Sequence, residues 1–142
     1  MALINEEVAQ QLKQEFESLK DPVRLAVFSQ TIADPGSEQV KRLVEELAGL
    51  DNRLTTESYN YVTDTEKVTA LGIQRTPAIA VVSQDKDYGV RLYGMPSGYE
   101  FGSLIDAILM VSRAESGLSE ETRTALSAID KPVHVQVFST PT

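Results

Sequence analysis

Residues 24–50, RLAVFSQTIADPGSEQVKRLVEELAGL, decide the fold. Leu25, Ala26, Val27 and Phe28 form a short apolar run of the kind that lies buried in a sheet. Val40, Leu43, Val44, Leu47 and Leu50 then recur at the three-and-four spacing of one helical face, and Gly49 with Asp51 and Asn52 behind it supplies a stop. Between strand and helix stands Asp34-Pro35-Gly36-Ser37. Asp34 is expected to cap the helix, Pro35 to take its first position, and the carboxylate to face the positive end of the helix dipole. Any chemistry of this unit belongs where that loop meets the helix start.

The rest of the chain sets the bounds. With 142 residues, 42% hydrophobic and 24% charged, it is one ordinary globular domain or one domain with an appendage. A formal charge of -8 without a basic cluster argues against nucleic-acid binding, because phosphate contacts need clustered Lys and Arg. The first residues are polar and acidic where a signal peptide is basic and then apolar, and no apolar run reaches membrane-spanning length, so a cytoplasmic protein with no membrane partner is expected. Zero cysteines exclude disulfides, zinc-thiolate sites and thiol nucleophiles within this chain. No cofactor and no metal are expected.

Ahead of the deciding stretch, Ile4, Val8, Leu12, Phe16 and Leu19 predict a helix, with Asn5 as its cap, Glu6 and Glu7 in the first turn, and Asp21-Pro22 as its end. Behind it, Leu54 to Tyr61 reads as a strand, and Thr63 with Glu66 has the spacing of a capping box for a short helix that runs through Leu71 and is closed by Gly72. Ile73-Gln74-Arg75-Thr76-Pro77 leads into Ala78 to Val82, an apolar run suited to burial on both sheet faces. Pro77 stands at the very start of that strand, where a missing donor is tolerated and a cis peptide is allowed. A polar turn at Gln84 to Tyr88, a strand from Gly89 to Tyr93, a break at 94–98, and a helix with Phe101, Leu104, Ile105, Ile108 and Leu109 on one face complete the unit.

This order resembles the thioredoxin and glutaredoxin families, in which a strand leads into a Cys-X-X-Cys that opens a helix. The two cysteines would fall at Asp34 and Ser37, so the resemblance leaves no catalytic residue here. A helix start that stabilises thiolate equally stabilises the Asp34 carboxylate, which keeps anion-binding geometry and drops redox chemistry. Arg75-Thr76-Pro77-Ala78 is similar to the cis-proline loop of these families, which implies peptide binding at Thr76 and Pro77. Residues 89–101, GVRLYGMPSGYEF, resemble a narrower group, the two-unit protein disulfide oxidoreductases or glutaredoxin-like proteins. A related tandem opens the flavoprotein component of alkyl hydroperoxide reductase. The fold class implied is α/β and thioredoxin-like: a central mixed sheet of four strands, flanking helices, an extra N-terminal helix, and a C-terminal helix followed by an orphan strand.

Ser116-Gly117 separates that unit from a helix starting at Ser119, with Glu120 and Glu121 in its first turn and Leu126 and Ile129 as its apolar side. Val133 to Phe138 alternates like a strand, and PVHVQVFS at 132–139 repeats the pattern of PVRLAVFS at 22–29. Residues 1–115 are therefore expected to form the thioredoxin-like domain and 116–142 a linker helix with the first strand of a second, truncated unit. An orphan strand of this kind pairs or frays, so a homodimer through 133–138 or a disordered tail is expected.

Each candidate also has a plain structural explanation. Helix capping accounts for Asp34 and Ser37, and a structural turn accounts for Thr76 and Pro77 as well as peptide binding does. His134 has no second histidine and fits an ordinary sheet residue. Glu6-Glu7, Glu45-Glu46 and Glu120-Glu121 read as solvated or dipole-compensating charges, and Tyr59, Tyr61 and Tyr93 as sheet residues. Gly89, Gly94 and Gly98 lack the strand-to-helix order of a phosphate loop. Three functions stay open: a cysteine-free scaffold or docking half beside a redox-active unit, a part of a disulfide-exchanging enzyme acting on protein disulfides, and a docking domain in a peroxide-reducing system.

Overall fold

The computed structural model describes residues 1–30, 32 and 34–140. Its elements are α1 (Glu6–Phe16), β1 (Val23–Ser29), α2 (Ser37–Ala48), β2 (Leu54–Asn60), α3 (Thr65–Ala70), β3 (Ala78–Ser83), β4 (Val90–Tyr93), α4 (Tyr99–Arg113) and α5 (Glu120–Ser127). The four strands form one mixed sheet in the order β2-β1-β3-β4. β1 runs parallel to β2, which requires the α2 crossover, and antiparallel to β3; β3 and β4 are antiparallel neighbours. This is the mixed sheet with flanking helices expected from the sequence.

Alternation along β1 divides the core in two. Val23, Leu25 and Val27 face α1, α2 and α4 together with Ile79 and Val81, and the larger cluster there includes Phe16, Val44, Leu47, Leu104 and Ile108. Ala26 and Phe28 face α3 with Ala78, Ala80 and Val82, and Tyr59, Tyr61 and Tyr93 pack against them. β1 and β3 are buried on both faces, as their unbroken apolar runs require. Phe28 stacks on Tyr59 with ring centroids 5.2 Å apart.

Polar contacts tie the helices to this sheet. The Arg53 guanidinium bonds both Asp51 oxygens, at 2.8 and 2.7 Å, and donates to the carbonyls of Leu19 at 2.6 Å and Phe16 at 2.8 Å. It thereby ties the chain at and just beyond the end of α1 to the connection that precedes β2. Arg53 also holds the Asp51 carboxyl below its ordinary value. Buried Ser112 receives the Lys20 amide at 2.9 Å and donates to the Asp21 carbonyl at 2.8 Å, fixing the α1–β1 connection to α4. Glu46 accepts the Leu3 amide at 2.9 and 2.8 Å and the Ile4 amide at 2.9 Å; these N–H bonds lower its carboxyl below the usual value. Glu46 is thus an anchor for the segment before α1, and the reading of it as a merely solvated charge is corrected.

Asn5 caps α1 as expected, its side chain accepting the Val8 amide at 2.9 Å. Gly72, at φ +62°, closes α3 in a Schellman arrangement: Ile73 N–H reaches the Val68 carbonyl at 3.0 Å and Gly72 N–H the Thr69 carbonyl at 3.2 Å. Two boundaries differ. α3 is capped by Asp64 rather than Thr63, and the Asp64 carboxylate accepts the Asn60 amide at 2.6 Å instead of a helix amide. Residues 133–138 form no ladder: Val135 is 77% exposed, Val137 85% and Phe138 90%. Alternation alone cannot make a strand whose backbone meets no neighbour. α5 buries none of its residues, and positions 116–140 are exposed throughout; the last two residues of the expected 116–142 segment lie outside the described residues.

Candidate functional site

The two places singled out in the sequence come to one end of the sheet. β1 delivers the chain into the loop before α2, while β3, running the opposite way, starts beside the end of β1 with Phe28 opposite Ala78. Pro77 immediately precedes Ala78, so the register carries Thr76-Pro77 to the end of the sheet at which β1 finishes. Among the described residues no hydrogen bond joins Asp34 to Pro77 directly.

At the first place, Ser37 opens α2 and is buried. Its hydroxyl donates to the Asp34 carboxylate, and its amide reaches the Asp34 carbonyl at 3.2 Å. The helix itself is capped by Gly36, whose carbonyl accepts the first helical bond from Val40 at 3.1 Å, with no side-chain cap. Asp34 is therefore not the N-cap and Pro35 not the first helical residue; both belong to a turn that precedes the helix. The reason is competition. The Asp34 carboxylate meets the Ser37 hydroxyl, and a charge-assisted bond to that hydroxyl replaces one to a backbone amide. Asp34 and Ser37 are thus joined by an oxygen-to-oxygen hydrogen bond.

At the second place the Thr76–Pro77 peptide bond is cis. The Pro77 carbonyl accepts the Gly94 amide at 2.9 Å. Gln74, three residues earlier, is held by two tyrosines: its carbonyl accepts from the Tyr61 hydroxyl at 3.1 Å and its amide donates to the Tyr93 hydroxyl at 3.3 Å. The Tyr61 amide in turn donates to the Ser29 carbonyl at 2.8 Å, which links this frame to the end of β1. Arg75 lies with its guanidinium 4.6 Å from the Tyr93 ring centroid. Tyr61 and Tyr93 are sheet-side residues as read from the sequence, but they also position the segment before Pro77. The adjacency of Arg75 to Thr76 was visible in the sequence, whereas its seat on Tyr93 was not.

Beside this end, on the α1 and α2 face, a groove of about 320 Å³ is lined by Ile4, Val8, Leu43, Met95 and Phe101 among others. His134 lies in the exposed tail, and among the described residues no group of three or more His, Asp or Glu could hold a metal ion. No helix of the described residues is long and apolar enough to cross a membrane.

No family model matches the chain. Among curated proteins, the F component of alkyl hydroperoxide reductase (AhpF) of Staphylococcus epidermidis is 28% identical over 96% of this chain; the chain spans 24% of the length of that relative. Among solved structures, the N-terminal domain of AhpF from Enterococcus faecalis superposes with a TM-score of 0.80 at 27% identity, covering 89% of this chain and 61% of that one. A protein disulfide oxidoreductase from Aeropyrum pernix gives 0.78 at 24% identity, covering 90% of this chain and 56% of that one, a likeness of fold. The relatives are thioredoxin-like, and this chain has no cysteine. It is a cysteine-free unit of thioredoxin-like fold, similar in sequence and structure to the N-terminal domain of the alkyl hydroperoxide reductase component AhpF.

Proposed function

We propose that this chain is a redox-inactive docking unit, one that holds an extended peptide or a protein partner at Thr76-Pro77 while a second, redox-active thioredoxin-like unit performs the thiol exchange. One observation supports the reading: Asp34 and Ser37, which the family resemblance matches to its cysteine pair, are bonded to each other. Thiol exchange requires an attacking thiolate, and no residue of this chain can supply one. In this reading the half-buried Thr76, beside exposed Arg75, offers its backbone to an extended peptide. Residues 1–115 make the docking unit in this reading, and residues 116–142 the linker helix and opening strand of a further unit.

The setting that the relatives favour is a peroxide-reducing system, since the curated relative from Staphylococcus epidermidis is a component of alkyl hydroperoxide reductase. The alternative setting is a protein disulfide oxidoreductase acting on disulfide substrates. The test is competition. Excess isolated chain added to a reconstituted alkyl hydroperoxide reductase reaction is expected to slow peroxide turnover, and to have no activity by itself in an insulin turbidity assay. Turnover by the chain alone overturns the reading. A self-association through residues 133–138, read by light scattering, is the competing way for that exposed segment to be satisfied.

A further inference from the structure

We propose that Arg75 makes this docking site selective for an acidic side chain on the bound peptide; the inference rests on the docking role of Thr76-Pro77 and adds the chemistry of what is bound. Each of the other arginines has a partner: Arg24 pairs with Glu57, Arg42 with Glu46, Arg53 with Asp51, Arg91 with Asp87 and Arg123 with Glu115, and Arg113 bonds Ser18. Arg75, among the described residues, has no hydrogen bond and no ion pair, and it is exposed. In a chain carrying 21 acidic residues against 13 basic ones, Arg75 is the arginine left, among the described residues, with neither a carboxylate nor any other hydrogen-bond partner.

Its position is held all the same. The Tyr93 ring lies under the guanidinium at 4.6 Å, and the Tyr93 hydroxyl is itself bonded to the Gln74 amide at 3.3 Å, one residue before Arg75. With its carbon over the ring, the guanidinium keeps N–H donors that have no partner among the described residues. Such donors can receive a carboxylate in the two-pronged manner, and Arg75 directly precedes Thr76-Pro77 in the chain. The overall charge of -8 repels an acidic partner at a distance. Beyond about 8 Å that repulsion is screened at physiological salt, so selection falls to contacts at bonding distance.

The probe is a fluorescein-labelled nonapeptide of alternating Val and Thr with one Glu, moved along the peptide position by position, against the same series carrying Gln. Anisotropy titration of the full chain is expected to show the Glu peptide binding about threefold to tenfold tighter at one position, the range of a surface to well-aligned ion pair. Arg75→Gln is expected to remove that preference, so that the Glu and Gln peptides bind alike; Arg75→Lys keeps only part of it, because a point charge lacks the fork. Because Arg75 is exposed, a circular dichroism melt of each variant is expected to match the parent. Pro77→Ala is expected to weaken both peptides. Equal binding of Glu and Gln peptides, or a preference that survives Arg75→Gln, overturns the role of Arg75 and leaves the docking site standing. Absence of binding by either peptide overturns both.

Discussion

Ser37 gives its hydroxyl proton to the Asp34 carboxylate, and it does so buried, at the mouth of the helix that follows the central strand. The bond spans the two positions that the sequence resemblance matches to a sulfur pair. It holds the turn 34–37 in place and takes up the charged group that a capped helix would otherwise use.

Removing it is expected to cost stability and nothing else that the chain does alone. Ser37→Ala leaves the Asp34 carboxylate without its hydroxyl donor, and a loss of about 1–2 kcal/mol in urea denaturation is expected for a bond to a charged group. An unchanged midpoint shows that solvent replaces the hydroxyl without penalty.

Sulfur can be put back. The double substitution Asp34→Cys and Ser37→Cys places two thiols with the Cys-X-X-Cys spacing at a helix start, an environment that favours thiolate. The variant is expected to form an internal disulfide in oxidising buffer and to accelerate insulin precipitation above the cysteine-free parent. If the disulfide forms and insulin reduction stays at background, the loop has lost more than its sulfur atoms.

Acid is expected to loosen the α1 side of the molecule. Asp51 is held low by the Arg53 side chain, Asp87 by that of Arg91, and Glu46 by the amides of Leu3 and Ile4, from ordinary values of 3.8, 3.8 and 4.5. A carboxyl lowered on folding binds fewer protons folded than unfolded. Its contribution is therefore complete above the ordinary value and is lost as pH falls through the lowered one. Thermal unfolding measured from pH 6 downward is expected to show a flat stability that declines below about pH 4.5. Glu46→Gln is expected to make the decline shallower and to speed amide exchange at Leu3 and Ile4 at neutral pH. Exchange there equal to the parent's removes Glu46 from its role as anchor.

Ser112 is a buried hydroxyl with two backbone partners on the far side of the fold. Ser112→Ala strands the Lys20 amide and frees the Asp21 carbonyl, and a cost of about 1–3 kcal/mol by chemical denaturation is expected. Ser116→Ala, in the exposed segment, is the control and is expected to change nothing.

Deleting residues 116–142 is expected to leave the melting temperature of the remainder within about 1 °C, because surface changes away from packed features carry little stability. α5 buries none of its residues. A large drop in melting temperature shows that α5 or the tail packs on the domain in solution.

The chain's pattern of apolar residues carried most of the architecture. Leu25 to Phe28 and Ala78 to Val82 declare themselves as doubly buried strands, and Asn5 and Gly72 declare helix ends, because each is decided by neighbours within a few residues. Positions settled by distant partners were less legible. Arg53 reaches the carbonyls of Phe16 and Leu19, groups that carry no mark in a sequence, and Glu46 reaches two amides more than forty positions away. The start of α2 was misplaced because Asp34 and Gly36 are both acceptable caps, and only the meeting of Asp34 with Ser37 decides between them. Val133 to Phe138 has the alternation of a strand and lacks the neighbour that would make it one. At the candidate site, the place of Pro77 before an apolar run allowed the cis peptide bond, peptide binding at Thr76 and Pro77 rested on the resemblance alone, and the Tyr93 ring beneath Arg75 came only with the folded sheet.

A carboxylate-to-hydroxyl clasp has no electrons to trade. Where a sulfur bridge opens and closes with the glutathione balance of its surroundings, the link from Asp34 to Ser37 stays as it is during oxidative stress and during recovery from it. The turn 34–37 is consequently held by a bond that oxidants and reductants leave alone.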